Sequence, residues 1–225
     1  LAPVLAAGDV TILKPSSSTS LSVLELMKLI QNVVPRGVIN LITGKGSKSG
    51  EFLQHNTGLD KLAFTGSTEV GREIGLSAAQ MIIPSTLELG GKSANVFFKD
   101  ADMKVALEGI QLGILFNQGQ VCSAGSRIFV EESFYDEFMA HVIPAFQKVK
   151  VGNPLDMNTQ MGAQVDERQL KKILSYVEIG KQEGAKVAVG GARYTEGEAA
   201  KDYFMQPTLL TDVTNDMRVA QEEIF

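Results

Sequence analysis

The sequence of 225 residues contains one cysteine, two histidines and no tryptophan. A single cysteine excludes an internal disulfide bond, which fits a reducing compartment, and we expect a cytoplasmic protein. The net charge is −5 and no basic patch stands out, which argues against a nucleic-acid partner. No uninterrupted apolar run is long enough to span a bilayer, so we expect no membrane partner. We also predict no metal site.

The remaining composition is that of an ordinary soluble globular protein. Hydrophobic residues make up 44% of the chain and charged residues 21%. A chain of this length holds one large domain or two small domains, each with its own core. The mildly apolar start, residues 1–10, has no initiator methionine and no basic leader, so it does not resemble a signal peptide.

The first part of the chain alternates between strand and helix patterns. We predict strands at 10–13, 38–42, 61–65 and 85–89, and helices at 21–34, 49–55 and 68–79. This alternation is typical of a parallel sheet with crossover helices, in which nucleotide sites lie at the carboxyl edge of the strands.

The pattern restarts after Gly90-Gly91. We predict strands at 94–98, 127–131, 186–189 and 205–209 and a polar loop at 151–165. We predict one helix that Asp100 or Asp102 caps and that reaches about residue 117, and two further helices at 134–149 and 167–183. The sequence therefore predicts an α/β fold with a domain boundary near Gly90-Gly91, which separates residues 1–90 from residues 91–225.

The only cysteine, Cys122, lies in a run of small and amide residues with Val121 as its one large apolar neighbour. A structural free cysteine usually packs among hydrophobic residues. A nucleophilic thiol instead needs access for a substrate and nearby donors that favour the thiolate. The surroundings of Cys122 favour a nucleophile, and a packed core cysteine is the alternative. The predicted domain boundary places Glu88 and Cys122 on either side of a cleft.

Three segments carry phosphate-binding signals of different strength. The glycines of residues 44–50 follow a strand, but their spacing fits neither a dinucleotide fingerprint nor a P-loop, so a glycine-rich turn explains them equally well. Gly66-Ser67 lies where a strand ends and a helix begins, so backbone N–H groups can face a phosphate there; the alternative is an ordinary helix cap. Lys14 ends a strand at the same carboxyl edge, and taken alone it is a solvated lysine.

Five segments occur in the order and spacing of the aldehyde dehydrogenase superfamily, which the whole chain resembles. They are Lys14-Pro15-Ser16, Phe64-Thr65-Gly66-Ser67-Thr68, Leu87-Glu88-Leu89-Gly90-Gly91-Lys92, Gly119-Gln120-Val121-Cys122 and Glu222-Glu223-Ile224-Phe225. The resemblance implies an aldehyde dehydrogenase-like α/β fold, with the later part of a Rossmann-type cofactor domain in residues 1–90 and a truncated catalytic domain in residues 91–225. Family members are more than twice this length, so we expect a central fragment of a homodimeric or homotetrameric parent, and the fragment alone is expected to bind cofactor poorly.

The resemblance also implies that an aldehyde is oxidised to a carboxylic acid by NAD or NADP. Cys122 would attack the carbonyl to give a thiohemiacetal, hydride would pass to the nicotinamide, and water would hydrolyse the resulting thioester. Glu88 would be the general base for the thiol, the water or both. From the residues alone, a buried structural glutamate is an equal alternative for Glu88. The backbone N–H of Cys122 would donate to the oxyanion, and the second donor of the family would precede Leu1.

Cofactor contacts follow from the same resemblance. The implied binding residues are Lys14 and Ser17 at the adenosine ribose, Gly66, Ser67 and Val70 at the pyrophosphate and adenine, and Leu89, Glu223 and Phe225 at the nicotinamide and its ribose. Many NAD-preferring members carry a glutamate at the position of Ser17. A carboxylate there would repel a ribose 2′-phosphate, whereas Ser17 with Lys14 would tolerate it, so we expect NADP to be accepted alongside NAD.

Phe116 and Val121 flank Cys122, and we expect them to line the aldehyde tunnel. For Phe116 the alternative is core packing at the end of a helix. Neither histidine, His55 nor His141, lies in a motif, and we interpret both as structural or solvated.

Three other functional interpretations remain open. A Cys-His hydrolase or amidotransferase would need a histidine base. An acylating, coenzyme A-dependent dehydrogenase of the same superfamily would typically lack the Glu88 carboxylate, so its presence favours hydrolysis of the thioester. A non-catalytic binding module on the same scaffold would not need a reactive thiol. The sequence does not identify the aldehyde.

Overall fold

A computed structural model of the protein describes the backbone of residues 1–225 and every side chain except that of Glu198. The chain separates into two compact units, Leu1–Leu89 and Gly90–Phe225. Both units combine helices with strands, which confirms the predicted α/β class. None of the helices among the described residues is long and apolar enough to cross a membrane.

The first unit contains four helices and four strands. In chain order they are α1 Ala2–Ala6, β1 Thr11–Leu13, α2 Leu21–Ile30, β2 Ile39–Leu41, α3 Glu51–Gln54, β3 Leu62–Gly66, α4 Thr68–Met81 and β4 Ser85–Leu89, and a π-helical turn, Gly46–Gly50, precedes α3. Strand β1 pairs with β2 and strand β3 pairs with β4, both in parallel. The parallel arrangement follows because a helix crosses between the strands of each pair.

Helix α4 packs on β4 through its glycines. A Cβ atom at Gly71 would overlap Leu89 Cδ2, whereas a Cβ atom at Gly75 would lie 3.5 Å from Leu87 Cδ1. The absence of a side chain at Gly71 therefore sets how closely the helix approaches the end of the strand. The buried core of this unit is small and consists of Leu62, Ile74 and Ala78.

The second unit contains four helices and four strands. In chain order they are β5 Ala94–Phe97, α5 Met103–Leu115, β6 Arg127–Val130, α6 Tyr135–Gln147, α7 Glu167–Glu183, β7 Lys186–Val189, β8 Leu209–Thr211 and α8 Arg218–Gln221, with 3₁₀ segments at Phe116–Gly119, Glu132–Phe134 and Gly197–Lys201. Strands β5 and β6 pair in parallel, and β7 and β8 pair antiparallel.

The core of the second unit is centred on aromatic and aliphatic side chains of α5 and α6. Phe138, Val142 and Ile110 are fully buried. The ring of Phe138 lies 5.1 Å from that of Phe97 on β5 and 5.5 Å from that of Phe134, the latter edge to face. These contacts fix helix α6 against the face of the β5–β6 pair that lies away from solvent.

The helix ends follow the capping residues. Of the two predicted caps, Asp102 is the one used, and its side chain accepts a hydrogen bond from Val105 N at 3.1 Å. Asp166 caps α7 in the same way, through Gln169 N at 2.8 Å. In each case the side-chain oxygen satisfies one of the backbone donors that the first helical turn leaves unpaired.

The predicted strand at 205–209 is wrong in position. Strand β8 begins at Leu209, and Met205 forms only an isolated bridge with Arg193. Pro207 explains the difference, because it has no N–H group to donate to a neighbouring strand. Helix α2 also ends at Ile30, earlier than predicted, and helices α1 and α8 were not predicted.

Candidate active site

The loop that carries Cys122 begins with an unusual turn. After α5 ends at Leu115, Asn117 and Gln118 have φ values of 49° and 57°, and Gly119 has a φ of 80°. A left-handed conformation costs a residue with a side chain roughly 1–2 kcal/mol, so the two amide residues hold this turn at an energetic cost. Such strained conformations persist where the surrounding contacts fix them.

Hydrogen bonds within the loop and from neighbouring segments fix both of its ends. At its start, Asn117 Nδ2 donates to Gln120 O at 2.9 Å. At its end, Gly125 N donates to Gly113 O at 2.9 Å, and Asn95 Nδ2 donates to Gly125 O at 3.1 Å. Between these ends the Cys122 side chain is free and exposed, so a substrate can reach the sulfur.

The turn at Gly90-Gly91 lies beside this loop. A Cβ atom at Gly91 would lie 3.9 Å from Cys122 O. Gly91 N donates to Glu223 Oε1 at 3.3 Å, and a Cβ atom at Gly90 would overlap the Glu223 carboxylate. The structure therefore brings Cys122 and Glu223, which are distant in sequence, to the same glycine turn, and it leaves no room for a side chain at Gly90.

The segment that carries Glu223 is held by helix α7. Tyr176 Oη donates to Glu222 Oε2 at 2.6 Å, and the Arg218 guanidinium donates to both Glu222 oxygens at 2.9 and 3.0 Å. The hydrogen bonds from Arg218 and then from Tyr176 lower the pKa of Glu222 from 4.5 to about 2. Gln169 Nε2 donates to Ile224 O at 3.0 Å and also to Phe225 O.

Sequence reasoning missed these two α7 residues. Gln169 and Tyr176 are seven residues apart, which places them on one face of a helix. That spacing was visible in the sequence, but the segment they contact lies about fifty residues further along the chain, and no local pattern indicates such a contact.

Lys92 is a further charged group at this turn. It lines a cavity of about 320 Å³ together with Arg127 and Glu223. Arg127 Nε donates to Lys92 O at 2.7 Å. Burial, followed by repulsion from Arg127, lowers the pKa of Lys92 from 10.5 to about 8, against the opposing attraction of Glu223.

The predicted site residues of the first unit gather at the carboxyl ends of β3 and β4. The parallel register places Glu88 opposite Thr65 and Leu89 opposite Gly66. Ser67 caps α4 by accepting a hydrogen bond from Val70 N at 3.3 Å. The Glu88 side chain is exposed, so the alternative of a buried structural glutamate is wrong.

Lys14 and Ser17 follow the other strand pair of the first unit. Lys14 comes directly after β1, and its Nζ donates to Pro15 O at 3.0 Å. Its side chain runs along the π-helical turn, since Cε lies 3.6 Å from the Cβ position of Gly50. Ser17 is exposed. These two residues therefore lie at the end of β1, and not on the β3–β4 pair.

The side chains expected to line a tunnel differ in exposure. Phe116 is 63% exposed, so it is not packed in the core, and Val121 is half-buried. His141 is an exposed residue of α6. His55 Nδ1 lies 3.5 Å from Ser77 Oγ in the first unit. Neither histidine neighbours Cys122 in sequence.

These observations define a class of protein. It is an α/β protein with an exposed thiol on a strained loop, a carboxylate held at the neighbouring glycine turn, and a helix N-terminus at the end of a parallel strand pair. The sequence profile of the aldehyde dehydrogenase family matches residues 1–225, and the chain belongs to this family.

Relatives of known name or structure agree with this assignment. The chain is 50% identical over 232 aligned residues to aldehyde dehydrogenase B of Escherichia coli, covering 100% of this chain and 45% of that protein. A betaine aldehyde dehydrogenase of Staphylococcus aureus, solved in complex with NAD+, is 40% identical with a TM-score of 0.97, covering 100% of this chain and 45% of that one. An NAD+ complex of a Bacillus cereus aldehyde dehydrogenase is 44% identical with a TM-score of 0.93, covering 98% and 44%. The chain thus spans less than half the length of these relatives.

Proposed function

We propose that the protein oxidises an aldehyde to the carboxylic acid with NAD or NADP, with Cys122 as the nucleophile. The observation that carries this proposal is the exposed Cys122 thiol on a strained loop whose backbone adjoins the turn that holds Glu223. Structural relatives that are named aldehyde dehydrogenases and were crystallised with NAD+ support the same reaction.

In this mechanism the Cys122 thiolate forms a bond to the aldehyde carbon, and the carbonyl oxygen becomes an oxyanion. No described residue accepts a hydrogen bond from Cys122 N–H, so this donor is available to the oxyanion. When bound, a dinucleotide would supply the oxidant by accepting a hydride from that carbon, which would leave a thioester on Cys122. Glu88 then removes a proton from water as the water attacks the thioester, and the carboxylic acid and the free thiol are released.

The residues present fit a dinucleotide. At the start of α4, Ser67 accepts from Val70 N, while the N–H groups of Thr68 and Glu69 precede the first intrahelical hydrogen bond. These donors and the positive end of a helix of 14 residues suit a pyrophosphate. Lys14 would bind the adenosine ribose, and Glu223 the nicotinamide ribose, with Leu89 and Phe225 beside the nicotinamide.

Ser17 supports acceptance of NADP. Its side chain is exposed, uncharged and three residues beyond Lys14, so no carboxylate repels a 2′-phosphate at this position. We expect Ser17→Glu to lower kcat/KM with NADP by at least about tenfold relative to kcat/KM with NAD, because the new carboxylate would repel the 2′-phosphate. Ser18→Glu adds the same charge one residue away and controls for net charge. Wild-type preference for NAD over NADP of more than about a hundredfold would contradict the proposal.

The test of the reaction uses the single cysteine as its own reporter. The rate of Cys122 alkylation is followed by intact mass with and without NAD or NADP, and dinucleotide reduction is measured at 340 nm with a panel of aldehydes. In a protein that also carries the flanking segments that the family resemblance implies, we expect rapid alkylation near neutral pH that a dinucleotide alters, and reduction that Cys122→Ser abolishes while Ser123→Ala leaves it intact. Glu88→Gln should accumulate a thioester adduct, because the water step slows.

Alkylation that neither dinucleotide alters, together with no aldehyde-dependent reduction, would contradict the function. A Cys-His hydrolase is not supported, because a histidine base would be required and neither His55 nor His141 lies in a motif. The free thiol supports a reducing location such as the cytoplasm. A homodimer or homotetramer is the assembly that the family resemblance supports.

A further inference from the structure

Two buried glutamines connect the strained turn before Cys122 to a distant segment. Gln120 is 9% exposed and Gln164 is 3% exposed. Gln120 Oε1 accepts a hydrogen bond from Val165 N at 3.0 Å, and Gln164 Nε2 donates to Gln118 O at 3.4 Å. Each bond joins residues 45 or 46 positions apart in sequence.

The segment that receives the turn is itself fixed. Met161 forms a β-bridge with Val151, and Gln164 N donates to Tyr203 O at 2.8 Å. The segment continues into α7, whose N-cap is Asp166. Residues 161–165 therefore form a rigid support on which the turn can be held, because backbone bonds to two other parts of the unit restrain them.

The two glutamines use opposite ends of their amides. Gln120 contributes an oxygen acceptor, and Gln164 contributes an N–H donor. No described residue donates a hydrogen bond to Gln164 Oε1, so the bond to Gln118 O is the whole of its side-chain pairing. Removing the Gln164 amide donor therefore removes a bond to the left-handed turn and no other side-chain hydrogen bond among the described residues.

We propose that Gln120 and Gln164 are positioning residues for Cys122, which hold the left-handed turn at 117–119 against residues 161–165 and thereby fix how the loop presents the thiol. This inference rests on the proposed role of Cys122 as a nucleophile. Its physical basis is that a turn with two non-glycine residues at positive φ relaxes unless its surroundings hold it. The two glutamine side-chain hydrogen bonds, from Val165 N to Gln120 Oε1 and from Gln164 Nε2 to Gln118 O, form a clamp that supplies this restraint.

The opposite polarity of the two amides gives a matched test. Gln120→Glu keeps an oxygen acceptor for Val165 N, whereas Gln164→Glu, measured at a pH where the carboxylate is ionised, replaces the donor to Gln118 O with a second acceptor. Both variants introduce the same charge at a buried site, so their difference reports the hydrogen bond. We expect amide hydrogen exchange in residues 117–125 to be about tenfold faster in Gln164→Glu than in Gln120→Glu, and Cys122 alkylation to be about tenfold slower.

A control separates positioning from general destabilisation. Gln111 Nε2 donates to Ala145 O at 2.8 Å, so Gln111→Ala removes a similar amide-to-backbone bond between α5 and α6 in the same unit. It should leave exchange at 117–125 and the alkylation rate within about twofold of wild type. Equal effects of the two Gln→Glu variants, or an alkylation loss in Gln111→Ala as large as in Gln164→Glu, would overturn the clamp. A chain in which the clamp variants behave as expected but no aldehyde is oxidised would contradict the proposed function and leave the clamp in place.

Discussion

The two units of the molecule hold their functional groups in different ways. In Leu1–Leu89 the buried core is limited to Leu62, Ile74 and Ala78, and helix α2 has no buried residue, with Leu21 and Leu29 more than three-quarters exposed. In Gly90–Phe225 a continuous core surrounds Phe138 and extends to the loop of Cys122. Ile12 of β1 is also 45% exposed, although parallel strand pairs normally have both faces covered.

The difference shows that local structure positions the predicted site residues of the first unit, whereas contacts between distant segments position those of the second unit. Ser67, Gly66 and Leu89 are positioned by a helix cap and by the register of adjacent strands. Cys122 and Glu223 are positioned by bonds between segments that are far apart in sequence. Substitutions should therefore act locally in the first unit and cooperatively in the second.

The largest expected effect is on the core of the second unit. Phe138→Ala should destabilise that unit by about 3–5 kcal/mol, because a fully buried ring leaves a cavity against Phe97 and Phe134. All four tyrosines lie in this unit, so urea unfolding followed by tyrosine fluorescence reports it alone. Leu112→Ala, on the exposed side of α5, should change stability by less than about 0.5 kcal/mol. A similar loss in both variants would show that the stability of the second unit does not depend on the core around Phe138.

A smaller effect should distinguish two glycines of α4. Gly71→Ala should destabilise the first unit by about 1–3 kcal/mol, because its Cβ overlaps Leu89. In Gly75→Ala the new Cβ atom would lie 3.5 Å from Leu87 Cδ1, an ordinary van der Waals distance, so this variant should stabilise the helix by up to about 1 kcal/mol. Hydrogen exchange of the α4 amides measures both. If the two variants shift exchange in the same direction, strand packing does not depend on Gly71.

The cap of the same helix should contribute less. Ser67→Ala removes the acceptor for Val70 N and should cost about 1 kcal/mol. Ser18→Ala, in an exposed turn, is the matched control and should be neutral. Exchange of the first-turn amides of α4 should accelerate in the first variant only. An equal acceleration of exchange in β1 would show that the first unit responds cooperatively, which would contradict the expectation that substitutions act locally there.

The sequence predicted the parts of the fold that local patterns determine. Strand β4, helix α7 and strand β7 have the predicted bounds, because hydrophobic periodicity and capping residues mark them. The prediction that Gly66-Ser67 lies where a strand ends and a helix begins is also confirmed, because β3 ends at Gly66 and α4 begins at Thr68. The roles of Gly66, Ser67 and Leu89 in binding a cofactor stay predictions.

The sequence could not predict features that tertiary contacts impose. Asparagine tolerates the left-handed conformation that Asn117 adopts, but Gln118 adopts it as well, and no turn signal marks Gln118. The Gln120 and Gln164 bonds cross about 45 residues, and a local pattern does not encode their partners. The misplaced strand at 205–209 shows the converse, since the apolar residues suit a strand but Pro207 prevents the pairing.

The smallest predicted effect concerns pH and Lys92, and it tests the electrostatics of the glycine turn. Because the pKa of Lys92 is lowered from 10.5 to about 8, the unfolded chain binds this proton more tightly than the folded chain between those pH values. Stability should therefore rise with pH across that window, and the penalty of the buried charge should be fully present below pH 8. Partial exposure screens the charge, so the effect is modest.

Lys92→Met should remove this rise of stability with pH, whereas Lys104→Met, at an exposed position of α5, should keep it. Urea unfolding by circular dichroism at pH 7 and pH 9.5 measures the difference between each variant and the wild type, so that other titrating groups cancel. If the free energy of unfolding increased equally for Lys92→Met and for the wild type between the two pH values, Lys92 would be charged and solvated in the folded chain. Lys92 would then not constrain Glu223, and the hydrogen bond from Gly91 N would hold that carboxylate in place.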